Sequence, residues 1–155
     1  MSRWHADFET RSAAPIKDCG AFRYACDPST EILLLALAKD GDPPLIWDTF
    51  ASDEDNAPAM ALIREMVADT GTITAHNVKF ELAVITYLWV ATFGLDEPDV
   101  SRYRCTQALC NMAAIPSSLA DAAAFLGLTE KDPRGSALIK LFSVPGKTGW
   151  TTPRS

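Results

Sequence analysis

Alternating strand-like and helical segments constrain the fold of this chain more than any other feature of its sequence. From residue 44 onward, apolar spacing and turn residues predict strands over 45–50, 72–75 and 100–105, helices over 53–70 and 78–93, and short helices over 106–114, 119–126 and 136–142. Strands that alternate with helices form a sheet with helices packed on it, and 155 residues are enough for one such domain. We therefore predict an α/β fold with a mixed sheet.

The first fifty residues predict an antiparallel start to this sheet. Side chains alternate along the segment 4–9, so its apolar residues share one face while Asp7 and Glu9 share the other. The run 31–39 is almost continuously apolar, which is typical of a strand covered on both faces, although its leucines and alanines also suit a helix. Residues 12–29 contain a glycine, two prolines and mixed polarity, and are expected to form an irregular loop.

The composition excludes several classes of protein. The chain is 48% hydrophobic and 22% charged, which excludes wholesale disorder. Its longest uncharged helical stretch, residues 82–95, is shorter than the ~20 residues that a membrane span requires, so no membrane partner is expected. The N-terminal residues contain no apolar leader, so a cytoplasmic location is expected. The four cysteines lack zinc-ribbon spacing and are expected to be free, buried thiols.

Acidic and basic residues are unevenly distributed along the chain. Residues 1–100 contain 7 Lys or Arg and 17 Asp or Glu, whereas residues 101–155 contain 7 and 3, for a net charge of −6. An acidic segment beside a basic one suits a cation-dependent site that receives a polyanion, but chance variation explains the split equally well. Six basic side chains could follow a phosphate backbone or simply be solvated: Arg102, Arg104, Lys131, Arg134, Lys140 and Lys147.

Asp7 and Glu9 form the clearest chemical feature of the sequence. Two carboxylates two residues apart on a strand point the same way and repel each other. A hard divalent cation such as Mg²⁺ or Mn²⁺ removes that repulsion, because oxygen ligands suit these ions. The alternative is an exposed strand face with two solvated acids, and the pattern Asp-x-Glu alone favours it.

Glu81 strengthens the metal hypothesis. It is a charged residue in the first turn of a predicted helix that is apolar nearly all round, although an acid there also suits the helix dipole. If the strand over 72–75 joins the same sheet, its C-terminal end could bring Glu81 close to Asp7. Three converging carboxylates are suited to a two-metal site that catalyses displacement at phosphorus.

Five segments in order resemble a known family. Residues 7–10 (DFET) are similar to the first exonuclease motif of the DEDD superfamily, and residues 74–81 (TAHNVKFE) are similar to the second. Residues 105–108 (CTQA), 115–119 (IPSSL) and 131–142 (KDPRGSALIKLF) resemble the proofreading 3′–5′ exonuclease domain of bacteriophage family A DNA polymerases. The resemblance extends over nearly the whole chain.

The resemblance implies an RNase H-like fold, with a mixed five-stranded sheet flanked by helices, and removal of nucleotides from single-stranded DNA 3′ ends. It assigns Asp7, Glu9 and Glu81 to catalysis and to the binding of two Mg²⁺ or Mn²⁺ ions, with Glu81 where the superfamily more often has Asp. It assigns contacts with the strand end to four residues: Thr10, His76, Asn77 and Phe80.

The third motif of the family has no counterpart after Glu81. That motif is a Tyr-x-x-x-Asp, or a His with an Asp five residues on, whereas Tyr103 is followed four residues later by Gln107. We therefore expect an exonuclease-like domain over 1–143 that lacks the closing C-terminal helix, and an irregular tail over 144–155. An uncovered apolar surface would then favour self-association. The alternative function is a catalytically impaired remnant that binds single-stranded nucleic acid or a partner protein.

Four residues have a second interpretation each. Asp121 could replace the missing acid, but a solvated helix acid is the simpler interpretation. His76 is more often a hydrogen-bonded, partly buried histidine than a metal ligand. Trp150 could stack on a base or anchor a loop. Asn77 suits the N-cap of the helix that follows it.

Overall fold

A computed structural model describes residues 1–128, 135 and 141–146 of the chain. Five strands and five helices follow one another there, and a 3₁₀ turn, Val100–Arg102, precedes the last strand. They are β1 (Arg3–Arg11), α1 (Ile16–Ala25), β2 (Glu31–Lys39), β3 (Leu45–Asp48), α2 (Asp53–Ala68), β4 (Thr72–Ala75), α3 (Lys79–Phe93), β5 (Tyr103–Cys105), α4 (Thr106–Met112) and α5 (Leu119–Phe125).

The strands form one mixed sheet in the order β3–β2–β1–β4–β5. β1 pairs antiparallel with β2, which pairs antiparallel with β3, whereas β4 runs parallel to β1 and β5 parallel to β4. The predicted α/β fold with a mixed five-stranded sheet flanked by helices is confirmed, and it is consistent with the RNase H-like class. β1 is the central strand, so its side chains lie at the middle of both sheet faces.

The hydrophobic core lies between one face of the sheet and the helices α2 and α3. Trp4, Ala6 and Phe8 of β1 are buried on this face, as strand alternation predicts. α2 contributes Ile63 and Met66, and α3 contributes Val84, Ile85, Trp89 and Phe93. The opposite face of β1 carries Asp7, which is exposed, and Glu9, which is half-buried.

The expected loop over residues 12–29 is wrong, because α1 occupies its centre. The helix is interrupted at Gly20, whose φ of 76° only glycine adopts without cost, so no continuous helical pattern is visible in the sequence. Ring contacts with α3 hold α1 instead, with centroids 6.2 Å apart for Tyr24 and Phe80 and 6.5 Å apart for Phe22 and Tyr87.

Local geometry corrects several further expectations. The side chain of Asn77 does not cap α3; the residue adopts a φ of 65°, and its carbonyl accepts a hydrogen bond from the Phe80 amide. β3 ends at Asp48, and a 3₁₀ turn replaces the first half of the strand expected over 100–105. All four cysteines are free, but none is buried, and Cys26 is exposed.

The remaining expectations concern membrane spans and the C-terminal residues. None of the helices described in this chain is long and apolar enough to cross a membrane. Most of the helix expected over 136–142, most of the tail over 144–155 and Trp150 lie outside the described residues. The domain boundary after residue 143 stays a prediction.

Candidate metal centre and nucleotide cavity

The position of Asp7 follows from how β1 pairs with its neighbours. β1 pairs with β4 only from Arg3 to His5, so Asp7 lies beyond the end of that pairing, where the chain turns from β4 into α3. A register shift between Glu9 and Thr10 then bends the strand away from a regular ladder with β2. Both carboxylates therefore lie at an irregular end of the central strand, on the face away from the core.

Glu81 lies in the first turn of α3 and is only 2% exposed. Burial, together with the smaller effect of the negative charge of Asp7, raises the pKa of its carboxyl group to about 8. Its Oε2 atom is buried without a hydrogen-bond partner among the described residues. With a pKa of about 8, Glu81 is mainly protonated at pH 7.

The three predicted metal ligands fit a divalent cation in chemistry but do not converge. Asp7, Glu9 and Glu81 offer the oxygen ligands that Mg²⁺ and Mn²⁺ prefer, and the unpaired Oε2 atom of Glu81 is a ligand atom without a partner. Among the described residues, however, no three His, Cys, Asp or Glu side chains form a group that could hold an ion. The metal centre therefore stays a prediction.

A cavity of about 720 Å³ lies beside Glu9. Thr10 and Phe80 also line it, so it brings together three of the predicted site residues. Its other walls are mostly apolar and come from β1, α1 and the segment near residue 144: Phe8, Pro15, Ile16, Tyr24, Val144 and Pro145. The Thr10 hydroxyl lies 2.8 Å from the Tyr24 hydroxyl, which fixes its direction within the wall.

His76 and Asn77 do not line this cavity. The His76 ring lies at the end of β4, with Nδ1 3.0 Å from the Thr106 hydroxyl and Nε2 2.9 Å from the Ser117 carbonyl. Both ring nitrogens are thus engaged by protein atoms, which supports the interpretation of His76 as a structural histidine. Asn77 is exposed, and its expected contact with a substrate stays a prediction.

Tyr24 lines the cavity and bonds Thr10 from α1, although the sequence pattern predicts a loop at this position. A usable signal was present, because Asp18 in the first turn and Arg23 in the last turn complement the dipole of a helix over these residues.

The described basic residues do not all form a phosphate track. Arg102 is buried and donates hydrogen bonds to the carbonyls of Gly71 and Met66, so it fits neither of the two alternatives, a phosphate contact or a solvated surface residue. Arg104 is exposed and donates to the Ser101 carbonyl, while Lys131, Arg134, Lys140 and Lys147 lie outside the described residues.

Asp121 is an exposed acid that completes a helix cap. The Ser118 hydroxyl donates to its carboxylate at 2.6 Å, and its amide donates back to that hydroxyl at 3.1 Å. The simpler interpretation of Asp121 as a solvated helix acid is therefore confirmed.

The chain is an α/β protein whose mixed five-stranded sheet is consistent with the RNase H-like class. No protein-family model matches the chain. The chain is 34% identical over 148 residues to the DNA polymerase of Bacillus phage SP02, an alignment that covers 95% of this chain and 22% of that polymerase. The chain is therefore related to a segment of a phage DNA polymerase, as its resemblance to phage polymerases predicts.

Proposed function

We propose that this chain is a metal-dependent 3′–5′ exonuclease domain that removes nucleotides from single-stranded DNA ends during proofreading by a DNA polymerase. The observation that carries the proposal is the position of Glu9, which shares a strand face with Asp7 and also lines a cavity of about 720 Å³. A carboxylate in the wall of a cavity of this size, with a second carboxylate two residues away on the same strand face, suits hydrolysis of a bound nucleotide. The similarity to a phage polymerase supports a role beside DNA synthesis.

Asp7, Glu9 and Glu81 are the residues that would hold the divalent ions. The chemistry that such ions supply is the generation of hydroxide from water and the stabilisation of charge at phosphorus. Asp7 is exposed, so a strand of DNA can reach this end of β1 without opening the core. Glu81 lies one layer deeper, where its charge is disfavoured by burial and by Asp7.

The cavity supplies the binding surface for the terminal nucleotide. The Phe80 ring can stack on a base, a contact that contributes about 1–3 kcal/mol per base. The Thr10 hydroxyl, which is fixed by Tyr24, can hydrogen-bond to the sugar or phosphate. The apolar walls exclude water from the remaining surface of the nucleotide.

The test of this function is the digestion of a single-stranded oligonucleotide that carries a label at its 5′ end. With Mn²⁺, the protein should produce a ladder of labelled products that shorten from the 3′ end, and EDTA should stop the reaction. Asp7→Asn should reduce the rate to background, because one carboxylate of the pair is lost. Asp42→Asn, a matched change of an exposed acid in the β2–β3 turn, should leave the rate unchanged.

Two results of this assay would contradict the proposal. One is an intact oligonucleotide after long incubation with Mn²⁺ and the wild-type protein. The other is degradation that continues in EDTA or in Asp7→Asn, which would identify a contaminating nuclease.

A second candidate is a remnant that binds single strands without cutting them. It is favoured by one observation, that Glu81 is turned into the interior and no three ligand side chains converge among the described residues. This function predicts that a fluorescent single-stranded oligonucleotide binds equally well to the wild-type protein and to Asp7→Asn, and that it remains intact in Mn²⁺.

A further inference from the structure

Among the described residues, two buried oxygen atoms between the sheet and α3 have no hydrogen-bond partner. They are Oε2 of Glu81 and the hydroxyl of Tyr103, and their side chains belong to residues that are 2% and 8% exposed. A buried polar atom without a partner costs about 1–3 kcal/mol, so two of them in one layer require a physical explanation.

Tyr103 and Glu81 approach this layer from opposite sides. Tyr103 projects from β5, where it pairs with Ile73 of β4. Glu81 lies three residues after Val78, which caps the start of α3, and four residues before Ile85 on α3. Val78 and Ile85 both belong to the core cluster that contains Tyr103. Burial raises the pKa of Tyr103, and the charge of Glu81 raises it further, so the two groups are within electrostatic reach.

We propose that Tyr103 is a positioning residue for Glu81, whose hydroxyl donates a hydrogen bond to the Glu81 carboxylate when that carboxylate serves as a metal ligand. The inference rests on the proposed function. An ionised carboxylate only accepts hydrogen bonds, and a phenol is a good donor, so the two unpaired oxygens complement each other. Tyr103 itself touches neither the ion nor the DNA in this role.

The need for a positioning residue follows from the identity of Glu81. A glutamate has one more rotatable bond than an aspartate, so more conformational freedom is lost when its carboxylate is held in one place. A hydrogen bond from a fixed tyrosine on the sheet reduces this freedom. Partners of this kind, which orient a ligand without touching the metal, change metal affinity by about 10- to 100-fold.

The test is the affinity for Mn²⁺, measured by titration calorimetry in the absence of DNA. Tyr103→Phe should raise the dissociation constant by about 10- to 100-fold. Tyr87→Phe is the matched control, because it removes the same hydroxyl from an exposed position on α3 and should leave the affinity unchanged. In EDTA, the melting temperature of Tyr103→Phe should equal or exceed that of the wild type, since an unpaired buried hydroxyl is removed.

A double-mutant cycle with Glu81→Gln separates positioning from a general effect on the fold. If Tyr103 acts through Glu81, Tyr103→Phe should change Mn²⁺ affinity little in the Glu81→Gln background. If Glu81→Gln weakens Mn²⁺ binding and Tyr103→Phe does not, the positioning role is wrong while the proposed function stands. If neither Asp7→Asn nor Glu81→Gln changes Mn²⁺ binding, the metal centre and the positioning role are both wrong.

A second measurement does not depend on how a variant folds. The chain contains three tyrosines, so replacement by 3-fluorotyrosine gives three fluorine resonances. Titration with Mg²⁺ should shift the Tyr103 resonance and leave that of Tyr87 in place. A Tyr103 resonance that does not respond to saturating Mg²⁺ overturns the inference.

Discussion

Glu81 is the residue whose chemistry departs furthest from that of an ordinary surface carboxylate. It combines burial, the nearby charge of Asp7 and an unpaired Oε2 atom, and each of these favours the protonated form. Perturbed carboxyl groups of this kind are concentrated at functional sites, because a buried acid without a partner does not stabilise the fold. Glu81 therefore makes the stability of the protein depend on pH.

The first prediction concerns the direction of that dependence. The folded protein keeps the Glu81 proton up to about pH 8, whereas the group releases it near its ordinary pKa of 4.5 in the unfolded chain. Between these values the folded state binds more protons, so the free energy of unfolding falls as pH rises, by at most about 1.4 kcal/mol per pH unit. This stabilising contribution is fully present below the unfolded pKa and is lost as pH rises through the folded pKa.

Urea denaturation in EDTA, with wild type and Glu81→Gln compared at several pH values, measures this contribution. Glutamine cannot titrate, so the stability of the wild type relative to the variant should decrease steadily across the window and level off above about pH 8. Because both proteins share every other titrating group, the difference isolates Glu81. Parallel stability curves for the two proteins would show that Glu81 is not perturbed.

At the scale of secondary-structure elements, α1 forms one wall of the cavity because Tyr24 joins it to β1. The Tyr24 and Thr10 hydroxyls lie 2.8 Å apart in a buried position, and burial raises the pKa of Tyr24. Tyr24→Phe should therefore lower the free energy of unfolding by about 1 kcal/mol, because the Thr10 hydroxyl loses a buried partner. It should also weaken binding of single-stranded oligonucleotides, since Thr10 is no longer fixed.

Chemical denaturation and fluorescence anisotropy check the two parts of this prediction. Tyr87→Phe again serves as the control, because its hydroxyl is on an exposed residue of α3. Equal stability of Tyr24→Phe and Tyr87→Phe would mean that the bond between α1 and β1 contributes nothing.

Elements whose pattern is local could be predicted from the sequence. The structure gives β2 and β4 the predicted bounds, and the alternation of β1 correctly separated the apolar face from the face of Asp7 and Glu9. The period of two residues is sufficient there, because a strand places every second side chain on one face.

Elements held by distant contacts could not be predicted in this way. α1 is interrupted at Gly20 and depends on rings from α3, which lies more than fifty residues further along the chain. The depth of Glu81 likewise depends on how α3 packs against the sheet, and the unpaired Tyr103 hydroxyl depends on the pairing of β4 with β5. Sequence patterns identified the acids but not their burial.

At the scale of the whole molecule, the described C-terminal helices expose large apolar side chains. α4 has no buried residue, and α5 buries only Ala122. Four large apolar residues of α4 and α5 are more than half exposed: Leu109, Met112, Leu119 and Phe125. Clustered apolar exposure of this kind marks interaction surfaces. Self-association stays a prediction, and these four residues are the surface through which we expect it to occur.

Sedimentation velocity over a range of protein concentrations tests self-association. The weight-average sedimentation coefficient should rise with concentration, and Met112→Lys should weaken the association, since it places a charge at a residue that is 84% exposed. Ala61→Lys, on an exposed position of α2, is the control and should behave as the wild type. A single monomeric species at all concentrations would contradict the prediction.

The most direct test of the metal centre is the anomalous scattering of Mn²⁺ in crystals grown with a short single-stranded oligonucleotide. The proposed function predicts an anomalous peak at Asp7 and Glu9, with the Glu81 carboxylate turned toward it. The 3′-terminal nucleotide should occupy the cavity lined by Thr10 and Phe80. No peak at Asp7 and Glu9 in crystals saturated with Mn²⁺, or a 3′ end bound elsewhere on the protein, would contradict it.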